Sequence, residues 1–68
     1  MLSITANGKV FEVQNGLSVA DFIRWRGLDP RHVVVERNGE AVERRLYEEV
    51  RLSEGDRLEL VRAVAGGK

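Results

Sequence analysis

The stretch Leu52-Ser53-Glu54-Gly55-Asp56-Arg57-Leu58-Glu59-Leu60-Val61-Arg62-Ala63-Val64-Ala65-Gly66-Gly67 decides how this chain folds. Glu54-Gly55-Asp56 reads as a turn, with glycine supplying the backbone freedom a tight reversal needs. Arg57 to Val61 then alternates, which is the period of a strand with one buried face. Leu58 and Leu60 are expected to face the core, and Val61 to face the other way. The segment continues through Arg62-Ala63-Val64-Ala65 into Gly66-Gly67, with Lys68 beyond. A strand that leads directly into two glycines offers that end to something. Without Cβ, the backbone can enter a channel too narrow for other residues.

Outward from this segment, Leu2-Ser3-Ile4-Thr5 alternates like a half-buried strand, and Asn7-Gly8 is a strong hairpin signal. Lys9-Val10-Phe11-Glu12-Val13 returns as the second strand, closed by Asn15-Gly16. Ser18 is a helix N-cap with Asp21 three residues on, a variant of the capping box. Val19, Phe22, Ile23 and Arg26 share one helical face. Arg26 can lay its aliphatic stem on the core while its guanidinium reaches water near the negative helix end. Trp25 falls off that face and reads as a partly buried rim residue, with a partner anchor as the alternative. Gly27 suits the C-cap, and Asp29-Pro30 stops the helix.

Val33-Val34-Val35 is a β-branched run of the kind found in central strands. Asn38-Gly39 turns the chain, and Ala41-Val42 reads as a very short strand. Arg45 to Val50 is ambiguous; one reading is a helical turn anchored by Leu46 and Val50. The order is hairpin, helix, strand, short irregular segment, last strand. It predicts an α+β roll of the β-grasp type, with the first and last strands as a central parallel pair. The sheet is mixed and four- to five-stranded, with one main helix across one face. Its expected core is Ile4, Val10, Val13, Val19, Phe22, Ile23, Val33, Val35, Leu58 and Leu60. The expected organisation is a domain over residues 1–62 and a flexible C-terminal tail over 63–68.

Sixty-eight residues with 43% hydrophobic and 32% charged content describe one globular domain with a modest core. Eleven basic and eleven acidic residues give no net charge, which argues against nucleic acid as the main partner. Nothing in the sequence reads as a signal peptide or a membrane span, so a cytoplasmic location is expected. The chain has no Cys and one His, which excludes thiol catalysis and a His/Cys metal site. His32 precedes a strand and is expected to be structural or superficial. No acid/base pair stands out, and the Asn-Gly pairs are turn chemistry rather than phosphate loops. No catalytic residue is assigned, and no bound cofactor is expected.

The run Val33-Val34-Val35-Glu36-Arg37-Asn38-Gly39, followed by the Leu52 to Gly67 segment, resembles the thiamin-biosynthesis sulfur carrier proteins, the ThiS family of the ubiquitin-like β-grasp superfamily. Asn7-Gly8 and the helix after Leu17-Ser18 agree in layout, so the resemblance spans essentially the whole chain. Its most specific part is the Gly55-Asp56 turn, the following strand and the diglycine at fixed distance. The molybdopterin-synthase small subunit shares the fold and tail and is the second resemblance.

The resemblance implies a protein co-substrate rather than an enzyme. An adenylyltransferase, using ATP, would activate the carboxyl of Gly67. Sulfur from a persulfide enzyme would then replace AMP to give a thiocarboxylate, which thiazole synthase would use as sulfur donor. Gly66 would thread the channel and Ala65 would space it from the body. Val61, Arg62 and Val64 are the candidate docking residues, and the free protein is expected to be a monomer. Extended at about 3.3–3.6 Å per residue, five residues from Ala63 to Gly67 reach roughly 17 Å. Lys68 departs from the family pattern: while it is attached, Gly67 has an amide and no free carboxyl. Protease trimming, a remnant of expression and an inactive copy are all compatible with it. Two other classes of function share the tail or the shape, a ubiquitin-like modifier and a non-covalent β-grasp binding module.

Overall fold

The computed structural model describes residues 1–63. β1 (Leu2–Ala6) and β2 (Lys9–Val13) form the antiparallel hairpin, with Ile4 opposite Phe11 and Thr5 opposite Val10. Ser18 starts α1 (Val19–Trp25) with a reciprocal capping box. Its Oγ accepts from the Asp21 N–H at 3.0 Å, and the Asp21 carboxylate accepts from the Ser18 N–H at 3.3 Å. The helix stops at Gly27, whose φ of 79° suits glycine. Gly27 N–H donates to the Arg24 carbonyl and Leu28 N–H to the Ile23 carbonyl, the two bonds of a Schellman end. A 3-10 turn (Pro30–His32), β3 (Val33–Arg37), β4 (Glu40–Ala41), a second 3-10 turn (Arg44–Leu46) and β5 (Arg57–Arg62) complete the described chain.

The sheet is five-stranded, in the order β2-β1-β5-β3-β4. β1 and β5 run parallel at its centre, and the other pairings are antiparallel. This is the mixed β-grasp roll that the sequence predicts. α1 buries Val19, Ala20, Phe22 and Ile23. They join Ile4, Ala6, Val13, Val33, Val35 and Leu58 in one core, which Tyr47 and Leu52 close.

Two expected core positions change. Val10 is 70% exposed rather than core. Side chains alternate along a strand, so Val10 and Val13, three apart, cannot share a face. Val13 and Phe11 point inward, and Phe11 packs edge-on against Phe22 and Trp25, with ring centroids 5.6 and 5.9 Å away. Leu60 is only half-buried, because the helix ends before covering it. β3 lies inside the sheet between β5 and β4, with Val33 and Val35 buried as expected and Val34 45% exposed on the face away from the helix.

The ambiguous segment resolves as the second 3-10 turn, with the Val50 N–H donating to the Leu46 carbonyl at 3.0 Å. Its core residue is Tyr47, whose hydroxyl donates to the Val33 carbonyl at 2.8 Å. The very short strand is Glu40–Ala41, one residue earlier than expected.

β5 is fixed from both sides by two of the Asn-Gly turns, Asn7-Gly8 and Asn38-Gly39. Asn7 and Asn38 adopt φ of 50° and 54°, a region open to Asn because its side chain bonds locally. Here each side chain bonds to β5 itself. Leu60 N–H donates to Asn7 Oδ1 at 2.8 Å, and Asn7 Nδ2 donates to the Leu60 carbonyl at 3.1 Å. On the other side Arg57 N–H donates to Asn38 Oδ1 at 2.8 Å.

Asn38 also donates to Asp56, the anchor of the strand's start. Asp56 is only 5% exposed. Its carboxylate accepts from Asn38 Nδ2 at 3.0 Å, Ser53 N–H at 2.8 Å and Arg37 Nε at 2.9 Å. Burial pushes its pKa up, but these donors, joined by the Arg37 charge, outweigh burial and hold it below the ordinary 3.8.

Candidate functional site

The end of the sheet from which β5 leaves is the natural place to look for function. β5 runs parallel to β1, so its last residues emerge beside the Asn7-Gly8 turn and the C-terminal end of α1. The final described tie is the Ala63 N–H, which donates to the His32 carbonyl at 2.7 Å. That bond makes Val33 and Arg62 a non-hydrogen-bonded pair, so the N–H and C=O of Arg62 turn away from β3. They face the β1 side, where β1 has already ended at Ala6. The chain therefore departs held on one edge only.

The two described docking candidates lie on opposite faces. Val61 is 60% exposed on the face away from the helix, directly across from Val34. Beside them Glu36 and Glu59 also stand directly opposite each other, both exposed. Like charges so placed repel. An apolar pair next to an acidic pair is thus displayed at the strand's exit. Arg62 lies on the helix side instead, beside Leu60. Val64, Ala65, Gly66 and Gly67, the other site residues expected from sequence, fall outside the described residues, as does most of the expected flexible tail.

Sequence reasoning missed Val34, the cross-strand partner of Val61. Alternation from the buried Val33 and Val35 would have found it. It missed the Asn7 and Asn38 side chains as clamps, since Asn-Gly signals a turn and says nothing of what the amide reaches. It also missed Tyr47 as the core residue of its segment. His32 is exposed, with Nδ1 3.8 Å from Asp29 Oδ2. Among the described residues no helix is long and apolar enough to cross a membrane.

Three comparisons bear on this arrangement. The family model described as ThiS family matches residues 3–67, so the match runs through the body and ends on the second glycine. The crystal structure of the thiamine biosynthesis protein ThiS from Geobacter metallireducens superposes with a TM-score of 0.81 at 29% identity, covering 97% of this chain and 100% of that one. The solution structure of a thiamine biosynthesis protein from the same organism gives 0.76 at 30% identity, over 98% and 90% of the two chains. The thiazole synthase of Paramagnetospirillum magneticum (strain ATCC 700264 / AMB-1) is 33% identical over 66 residues. Those residues are 97% of this chain but 20% of that protein, so the chain spans a fifth of that relative's length.

Proposed function

The chain belongs to the ThiS family, and from that premise we propose that it is a sulfur carrier protein of thiamin biosynthesis whose reactive group is the carboxyl of Gly67. The observation that carries the reading is the extent of the family match, which includes Gly66-Gly67 along with the folded body. The fold supplies a rigid platform and a strand that leaves it held on one edge.

A carboxylate is a poor electrophile. Transfer of AMP from ATP by an adenylyltransferase, with release of pyrophosphate, converts the Gly67 carboxylate into an acyl adenylate with a good leaving group. The terminal sulfur of a persulfide donor attacks the acyl carbon and AMP departs. A thiol then attacks the donor's sulfur in the resulting acyl disulfide, forming a new disulfide with the donor and releasing the thiocarboxylate. The carrier contributes no catalytic side chain to these steps and is a co-substrate, with ATP consumed by its partner.

Thiazole synthase is the proposed recipient of the sulfur, a reading supported by the sequence match to part of a protein of that name. The Val34–Val61 pair is the proposed apolar contact for partners, and Ala65 and Gly66 the segment that enters their channel. The setting proposed is the cytoplasm, where ATP is available.

The test is the intact mass of the protein from its native cells. A monomer ending at Gly67 and carrying sulfur in place of one carboxyl oxygen is expected. A population that retains Lys68 and never carries sulfur would overturn the proposal, and conjugate ladders would identify a modifier instead.

A further inference from the structure

Among the described residues, four arginines have a carboxylate partner. Arg24 pairs with Asp21 and Glu48, Arg31 with Asp29, Arg37 with Asp56 and Arg45 with Glu43. Lys9, Arg26, Arg44, Arg51, Arg57 and Arg62 make no such pair among the described residues, and three of them, Lys9, Arg26 and Arg62, line one groove on the helix side of the sheet. The groove has a volume of about 410 Å³, and no acidic residue lines it.

Its position follows from the fold. Lys9 begins β2 just after the hairpin turn, Arg26 caps α1 and Arg62 ends β5, so the three elements bring their cations to one end of the sheet. The floor is apolar, from Phe11, Leu28 and Leu60. Arg26 is held in place: its Cζ sits 4.7 Å above the centre of the Phe11 ring. A cation placed so by an aromatic face loses less freedom when a carboxylate arrives.

We infer that this groove is a second docking surface, reading an acidic segment with interspersed apolar residues on the adenylyltransferase beside the channel that receives Gly67. The inference rests on the sulfur-carrier reading for the identity of that partner. Charge complementarity selects the acidic side chains, and the apolar floor selects their neighbours. A free phosphate fits less well, because it would leave the apolar floor of Phe11, Leu28 and Leu60 uncovered. The location adds the rest. Any partner that takes the diglycine approaches the end of the sheet where Arg62 leaves it, and the groove opens there.

The test compares two charge-reversed forms of the chain ending at Gly67. Lys9→Glu/Arg62→Glu alters the groove, while Arg31→Glu/Arg45→Glu makes the same change in net charge elsewhere. Adenylation by the partner is followed as ATP–pyrophosphate exchange. The groove form should raise KM for the carrier by about tenfold or more with little change in kcat, and the defect should shrink between about 50 and about 300 mM salt. The control form should stay within about threefold. Equal effects of the two forms, or no effect of either, would overturn the inference.

If the unaltered chain ending at Gly67 is not adenylated at all, it is the carrier reading that fails. The groove is then decided by amide chemical shifts of the full chain, titrated with the peptide acetyl-Glu-Leu-Glu-Leu-Asp-amide and separately with inorganic pyrophosphate. Saturable shifts at Lys9, Phe11, Arg26 and Arg62 with the peptide alone support an acidic-segment site. Their absence, or the same shifts with pyrophosphate, contradict it.

Discussion

The two ends of β5 are built on opposite principles. At its start, Asp56 is buried and bonded by Asn38, Ser53 and Arg37, and Asn38 also accepts from the Arg57 N–H. At its exit, Arg62 has a β3 partner on one side only, Val61 is exposed, and the nearby cations lack carboxylates among the described residues. A strand closed at one end and open at the other is suited to present whatever follows it. The start supplies stability, and the exit is where we propose that partners dock.

The sharpest way to break this contrast is Asp56→Ala. It leaves buried donors unpaired and Arg37 without its carboxylate, and should cost about 2–4 kcal/mol of stability, read from urea unfolding. A cost below about 0.5 kcal/mol would mean that the start of β5 is no anchor.

Asn7→Ala and Asn7→Gly sharpen the contrast midway along the strand. Both remove the two bonds to Leu60, but only alanine is strained at positive φ. Alanine should cost about 1–2 kcal/mol and glycine less. Equal costs would show that φ is irrelevant and that the bonds carry the whole effect.

Asp56 also sets a pH dependence of known sign. Its folded pKa lies below the ordinary 3.8. The stabilisation is therefore complete above about pH 5 and is lost as pH falls through the ordinary value toward the lower folded one. Asp29, lowered to about 2 chiefly by its Arg31 hydrogen bond, acts in the same direction but is exposed and screened. Asp56→Asn should flatten most of the acid limb of a stability–pH curve. An unchanged limb would assign that limb to other carboxylates.

At the exit the expected change in stability is smallest. Val61→Asp alters an exposed side chain and should shift unfolding by less than about 1 kcal/mol, while weakening association with the adenylyltransferase about tenfold. Unchanged affinity would remove the open face from the docking account.

The closed end and the exit differed in how far the sequence disclosed them. Period-two alternation at Leu58 and Leu60, the helical spacing of Val19, Phe22 and Ile23, and the Asn-Gly turns were sufficient for the roll, because each depends only on neighbours along the chain. Val10 was misplaced through a lapse in that same periodicity. What could not be read was tertiary. The reach of Asn7 and Asn38 to β5, the Tyr47 hydroxyl on Val33, and the convergence of Lys9, Arg26 and Arg62 join residues far apart in sequence. The diglycine was legible as a reactive end only through the resemblance that accompanies it, since two glycines alone carry no chemistry.

The most direct measurement of the central claim is ATP–pyrophosphate exchange by the activating adenylyltransferase on three forms: the chain ending at Gly67, the chain ending at Lys68, and Gly67→Val in the chain ending at position 67. The account predicts rapid exchange for the first form alone. The second has no free carboxyl at Gly67, and the third adds a branched side chain to the segment proposed to enter the partner's channel, with the folded body unchanged by circular dichroism. Exchange at equal rates from all three forms would contradict the assignment of Gly67 as the reactive end, and with it the carrier function.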